Sequence, residues 1–204
     1  MKDYARPLGP GLAEAEHVMR TNIGNIAVTG HGIKKNETLY RLAREARGGA
    51  IVETGCYLGA GIIALGAGTR DGHYCPIYAV DDYTEKGGWI YGEHYEPSDL
   101  TKFWINMGAA SLHPTLVQKD MRFAAAEWAG GPVALWVWDI ARFDRIQADF
   151  DAWERHIMPG GVVALRDIDD FRFGAKDVCA RSVATGAWGD FREWPGFIVS
   201  IERL

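Results

Sequence analysis

Five acidic residues stand at the carboxyl ends of five apolar runs: Glu53, Asp81, Asp120, Asp139 and Asp167. Singly, each could cap the helix that follows it, as an Asp at a strand-to-helix turn commonly does. Together they face one crevice and ask for a cationic ligand, a hydroxyl-rich ligand or a metal. Just after the first of them, glycines 55, 59 and 61 fall within seven residues, in Glu53-Thr-Gly-Cys-Tyr-Leu-Gly-Ala-Gly61. A strand that turns on glycines into a helix brings bare backbone amides and a positive helix end to one point. The same spacing also suits a tight turn that holds nothing. Asp81-Asp82 closes the next apolar run, where an acidic residue accepts both hydroxyls of a ribose. It lies somewhat further on than the roughly 20 residues usual in dinucleotide sites.

These groups need a scaffold to hold them. Residues 50–52 suit a buried strand with Glu53 at its end, and 62–65 begin the next helix. Further strands are expected at 76–81, 115–119, 133–138 and 162–165. Asn36 is expected to cap a helix with Leu39, Leu42, Ala43 and Ala46 on one face, stopped by Gly48-Gly49. Short helices are expected at 13–20, 98–110, 123–128 and 175–185. Phe143, Ile146, Phe150, Trp153 and Ile157 step along one face of another, stopped by Pro159-Gly-Gly161. Runs 188–194 and 197–203, joined by Pro195-Gly196, can only form an antiparallel hairpin. The expected fold is α/β: a Rossmann-like, doubly wound, mostly parallel seven-stranded sheet closed by that C-terminal antiparallel hairpin.

One domain over 1–204 accommodates all of this. Residues 1–35 are expected to form an N-terminal arm, loop-like over 21–35, that packs on the core or folds over a ligand, the first being favoured. Residues 82–113 form an aromatic-rich insertion with Tyr83, Trp89, Tyr91, Tyr95, Phe103 and Trp104. It leaves the carboxyl end of the second strand and is expected to serve as a lid or substrate-facing segment. The net charge of -5 argues against a general nucleic-acid binder. No stretch approaches the ~20 apolar residues of a membrane span, and the N-terminus lacks the apolar core of a signal peptide. Cys56, Cys75 and Cys179 are an odd count without paired metal spacing, so reduced thiols and a cytoplasmic location are expected.

The pieces Val52-Glu-Thr-Gly-Cys-Tyr-Leu-Gly-Ala-Gly61, Tyr78-Ala-Val-Asp-Asp82, Lys119-Asp-Met121, Trp138-Asp139 and Pro159-Gly-Gly-Val-Val-Ala-Leu-Arg-Asp167 occur here in this order. With them, residues 36–204 resemble the class I S-adenosylmethionine-dependent methyltransferases. The nearest branch is the small-molecule O-methyltransferases, close to macrocin O-methyltransferases and cephalosporin-hydroxylase-like proteins. The resemblance implies that Gly55, Tyr57, Gly59 and Gly61 approach the methionine part of S-adenosylmethionine, with Glu53 toward its amino-acid end. It puts Asp81, with Asp82 beside it, on the ribose hydroxyls. Asp120 would accept from the adenine amine, with Met121 and Phe123 as apolar walls. A sulfonium cofactor suits a carboxylate rim better than NAD does. Phosphates against Glu53, Asp81 and Asp139 would repel, at about 1 kcal/mol or more per partly desolvated contact.

Methyl transfer is an in-line displacement, and a hydroxyl acceptor must also lose a proton to a base or through a divalent metal. Asp139 and Asp167 could bind Mg²⁺, with Asp169 or Asp170 adding a ligand. The alternative stands beside it: Asp139 orders the cofactor amine and Asp167 caps a helix. Relatives often carry a His shortly after the strand-four Asp, in a run like Asp-Gly-x-His-Ser-Tyr. Here the run is Asp139-Ile-Ala-Arg-Phe-Asp144, with Arg142 in or near the His position. The base then comes from His31 or His94, or the metal route applies, or the protein binds cofactor without turning it over. Arg142 could instead attract an acidic substrate, and His156 is read as structural. An NAD-type or hydroxylase-like enzyme on the same frame is the other reading. The expected partner is a small molecule, with no nucleic acid and no membrane; association into a homo-oligomer is left open.

Overall fold

The structure, a computed structural model, describes residues 5–24, 31–84, 96, 98–139, 145–165, 175–189, 191–196 and 198–204, with backbone alone at 31, 175 and 176. Strand β1 (Ala50–Thr54) is buried at every position. It pairs in parallel with β2 (Ile77–Val80) on one side and β4 (Val133–Trp138) on the other. Such a central strand has no solvent face, which is why Ala-Ile-Val runs without alternation. Outside β2 lies β3 (Thr115–Val117), and outside β4 lies β5 (Ile157–Leu165). The last two strands, β6 (Arg192–Trp194) and β7 (Ile198–Glu202), pair antiparallel, and β7 inserts antiparallel against β5. The order is β3-β2-β1-β4-β5-β7-β6, a seven-stranded sheet with one reversed strand. The chain winds outward in opposite directions from β1 and from β4, so the switch point falls between their carboxyl ends.

Alternation along β4 divides the core. Leu135 and Val137 face helices α1 (Pro10–Asn22), α2 (His31–Glu45), α3 (Ala60–Arg70) and α4 (Asp99–Ala109), in a cluster with Leu39, Ile62, Leu65 and Phe103. Trp136 and Trp138 face the other way, toward α5 (Met121–Ala126), α6 (Ile146–Glu154) and α7 (Ala175–Ala184), with Phe150, Trp153 and Val178. Their rings stack at 4.9 Å and 17°, and Trp153 lies 5.8 Å from Trp136. One face of the sheet is therefore mostly aliphatic, and the other carries most of the buried tryptophan. No helix among the described residues is long and apolar enough to cross a membrane.

Several boundaries differ from the sequence expectations. Helix α2 begins at His31, so Asn36 lies inside it, buried, rather than at its cap. A capping side chain is a local cue, and packing of the whole helix overrides it. Helix α1 is longer than expected, running from Pro10 to Asn22, with the proline at its first position, where a missing N–H costs nothing. Strand β5 starts at Ile157, not at 162, and takes in Pro159-Gly-Gly161 at a shift in register opposite Val133 and Leu135. There the Gly160 amide donates to the Arg203 carbonyl at 2.7 Å, so strand pairing continues through a sequence that reads locally as a helix stop. Ile157 accordingly belongs to β5 and not to the face of α6, while Phe143 lies outside the described residues. Helix α5 starts at Met121, two residues early, and β3 ends at Val117. Trp188 meets Arg203 only as an isolated bridge ahead of β6.

The N-terminal segment is strapped to the helical layer. The Gly9 amide donates to the Tyr40 hydroxyl at 2.9 Å, which donates in turn to Asp71 at 2.7 Å. The Arg44 guanidinium donates to the carbonyls of Pro7 and Arg6 at 2.6 and 3.0 Å.

Candidate active site

The turn after β1 is built by contacts from three directions. The Gly55 amide donates to the Val80 carbonyl at 2.9 Å and so holds the turn to β2. A Cβ on Gly55 would press on Asp139 at 3.1–3.2 Å, so the turn also lies against the end of β4. Gly59 caps α3 at φ +87°, where a Cβ would strike Phe103 and Met107 of α4. The Asn106 side chain donates to the Leu58 carbonyl at 2.9 Å, fixing α4 to the crown of the turn.

Glu53 is fully buried, and its carboxylate occupies the space that a side chain on Gly61 would need. It therefore lies in the first turn of α3, against the positive end of the helix. In dinucleotide sites that helix end carries a pyrophosphate. Here an anion of the protein's own is already there. Asp81, 6% exposed, follows β2 directly. One carboxylate oxygen accepts the Tyr57 amide at 2.9 Å and the other accepts the Tyr83 amide at 3.1 Å. Asp82 turns the other way and folds onto Thr84, accepting its amide at 3.0 Å and its hydroxyl at 2.9 Å. Of the two neighbouring carboxylates, Asp81 points into the turn.

Asp120 caps α5 by accepting the Arg122 amide at 2.9 Å, and it accepts the Arg145 guanidinium at 2.7 Å. Burial alone would raise its carboxyl pKa. The Arg122 amide and the Arg145 guanidinium outweigh that and hold it below the usual range. Met121, partly buried, opens the same helix, and Phe123 is 64% exposed. Asp139, half-buried just past β4, donates its amide to the Thr54 carbonyl at 3.1 Å.

Glu53, Gly55, Tyr57, Gly59, Gly61, Asp81 and Asp139 thus come together at the carboxyl ends of β1, β2 and β4, with Asp120 and Met121 beyond β3. His31 is described by backbone only, at the start of α2. His94, Arg142, Asp167, Asp169, Asp170 and Trp89 lie outside the described residues. No three His, Cys, Asp or Glu side chains gather as a metal site among the described residues. Of the expected Mg²⁺ pair only Asp139 is described, and one carboxylate does not make such a site. Cys56 in the turn is no nucleophile: burial first, then the charges of Asp81 and Glu53, push its thiol far up. His156 holds the Ala125 carbonyl at 2.8 Å beside a cleft of about 610 Å³ lined by Trp128, Ile157 and Arg203. That cleft opens at the amino ends of β4 and β5, the far end of the sheet from the glycine turn.

Two contributors escape a reading of the sequence, Asn106 and Arg145, while Tyr83, expected in the substrate-facing segment, bonds the glycine turn. Phe103, Asn106 and Met107 do share one helical face, which marks α4 as packed there. Nothing in the spacing says that the face meets the glycine turn.

A family model described as a methyltransferase domain matches residues 52–168. No curated protein matches the sequence. Among solved structures, the calicheamicin methyltransferase CalS11 superposes with a TM-score of 0.67 at 17% identity, covering 97% of this chain and 94% of that one. The Podospora anserina methyltransferase PaMTH1, bound to S-adenosylhomocysteine, gives 0.66 at 14% identity over 98% of this chain and 90% of that one. TomG, an O-methyltransferase of tomaymycin synthesis from Streptomyces achromogenes in complex with S-adenosylmethionine, gives 0.58 at 16% identity over 97% and 91%. At such identities the likeness is one of fold.

Proposed function

This chain belongs to the methyltransferase-domain family, and from that premise we propose that it moves the methyl group of S-adenosylmethionine to a hydroxyl of a small molecule. The observation that carries the choice of cofactor is the Glu53 carboxylate seated in the first turn of α3, against Gly61. A pyrophosphate at that helix end would meet a buried like charge, whereas the amino-acid end of a sulfonium cofactor brings an ammonium group to it. The bare backbone at Gly61 is what leaves room for the Glu53 carboxylate, since any side chain there would collide with it.

S-adenosylmethionine supplies a methyl carbon on a positively charged sulfur. The chain's own residues hold and orient. Glu53 takes the ammonium, the amides and carbonyls of the turn from Gly55 to Gly59 line the methionine part, and Asp81 accepts the ribose diol, with Asp82 at its rim. A carboxylate oxygen accepts more than one hydrogen bond, so the two amides on Asp81 do not bar a diol. Met121 and Phe123 border the adenine, and Asp120, at the start of α5, accepts from its amine. Acceleration of an in-line displacement comes mainly from alignment, and the tight packing of α4 on the turn supplies a rigid seat. The segment 82–113 covers the acceptor. His31 and His94 are the side chains assigned to take its proton, and Arg142 the one that attracts an acidic acceptor.

Mg²⁺ held by Asp139 and Asp167 is the other route to that proton, and EDTA separates the two. Turnover lost on dialysis and regained with Mg²⁺ supports the metal route; turnover that survives EDTA leaves the proton to a side chain. A cytoplasmic location accords with three buried, free cysteines. The proposal is tested by calorimetry with S-adenosylhomocysteine and with NAD, followed by a screen of phenols, sugars and amines with labelled cofactor. We expect S-adenosylhomocysteine to bind, NAD to be ignored, and label to pass to a hydroxyl compound. Binding of NAD in place of S-adenosylhomocysteine overturns the proposal.

A further inference from the structure

Asp81 is the meeting point of two segments distant in sequence. Its oxygens accept the amides of Tyr57, in the turn after β1, and of Tyr83, in the loop after β2. A third bond closes the ring: the Tyr83 hydroxyl donates to the Tyr57 carbonyl at 2.7 Å. Both tyrosines hold left-handed backbone, at φ 45° and 50°, which side-chain-bearing residues rarely adopt. Such a conformation persists only where its surroundings over-determine it, and it gathers at ligand sites. Here the surroundings are the ring itself, the Cys56 sulfur 3.6 Å from the Tyr83 hydroxyl, and the Phe103 ring 6.1 Å from that of Tyr83.

We propose that Tyr83 is a positioning residue for the ribose of the cofactor, acting through Asp81 and the carbonyl of Tyr57. It clasps the β2 loop to the glycine turn, so that the Asp81 carboxylate is aimed before any ligand arrives. Preorganisation of this kind raises affinity by removing the cost of ordering both segments on binding. The proposal rests on the cofactor reading above, from which Tyr83 was absent.

The test compares Tyr83→Phe with the native protein by calorimetry, using S-adenosylhomocysteine and its 2′-deoxyribose counterpart. The variant keeps the ring and loses one hydrogen bond. S-adenosylhomocysteine should bind about five- to tenfold more weakly. The 2′-deoxy ligand should lose less, so the variant's preference for the complete diol shrinks. An unchanged affinity for S-adenosylhomocysteine, or an equal loss for both ligands, overturns the clasp. A general loosening of the fold would lower both alike. Amide exchange on the native protein gives a second reading that needs no variant. The Tyr57 and Tyr83 amides, bonded to Asp81, should already be protected in the ligand-free protein, and rapid exchange at both before ligand is added counts against the proposal. Native protein that ignores S-adenosylhomocysteine altogether overturns the cofactor reading, and the clasp falls with it.

Discussion

An alanine at position 61 would set its methyl group against the carboxylate of Glu53, with α3 on one side and the fully buried β1 on the other. Neither element can give way cheaply, since forcing extra volume into a packed interior typically costs about 1–3 kcal/mol. Gly61→Ala should therefore unfold at lower urea and bind S-adenosylhomocysteine poorly. Adding Glu53→Ala reopens the space, so the double variant should regain stability while its binding stays weak. The cycle of three variants, followed by urea melts and calorimetry, separates volume from charge. Native-like binding by Gly61→Ala would place the ammonium elsewhere. At this scale Glu53 and Asp81 were legible because an acidic residue that ends an apolar run is conspicuous. Asn106 and the bond of Tyr83 to the turn were not, since each acts on a backbone carbonyl that sequence spacing cannot bring near.

Helices α5 and α6 are joined through charge. Arg145 at the start of α6 bonds Asp120 at the cap of α5, and Asp149, one turn into α6, lies 3.7 Å from both Arg145 and Arg122. Because the folded state holds the Asp120 carboxyl below its ordinary value, the unfolded chain takes up that proton first as acid is added. The contribution is complete above the unfolded value of about 4 and is lost as pH falls through the lower folded one. Urea melts across that range should show the native protein losing stability more steeply with acid than Asp120→Asn, which has no proton to take up. Equal slopes would mean that Arg145 and Arg122 do not govern Asp120. The ends of such elements were the least legible part of the sequence. Asn36 looked like a start, yet α2 runs through it; Pro159-Gly-Gly161 looked like a stop, yet β5 runs through it. In both cases partners distant in the chain decide, and a local cue carries no information about them. The strands were easier, because unbroken apolar runs bounded by glycine and aspartate have few other uses.

Across the whole molecule the sheet separates a mostly aliphatic layer from one rich in tryptophan. Trp136, Trp138, Trp153 and Trp188 are buried on that second side. The mostly parallel, doubly wound sheet and its closing hairpin were legible from the run of β/α units. Which face would be filled with rings was not, since the parity of β4 becomes meaningful only once its two neighbours are known.

The stacked indoles of Trp136 and Trp138 also touch the business end of the sheet, for the Trp136 ring nitrogen donates to the Thr54 hydroxyl at 3.1 Å, one residue before Gly55. Two chromophores held in register beside a bound guest make an optical gauge that is already part of the polypeptide. Filling the crevice should alter the near-ultraviolet circular dichroism of unlabelled protein, and Thr54→Val should mute that response while leaving the stack in place. A spectrum indifferent to saturating S-adenosylhomocysteine, in protein shown by calorimetry to bind it, would mean that the rings are deaf to what happens one residue away.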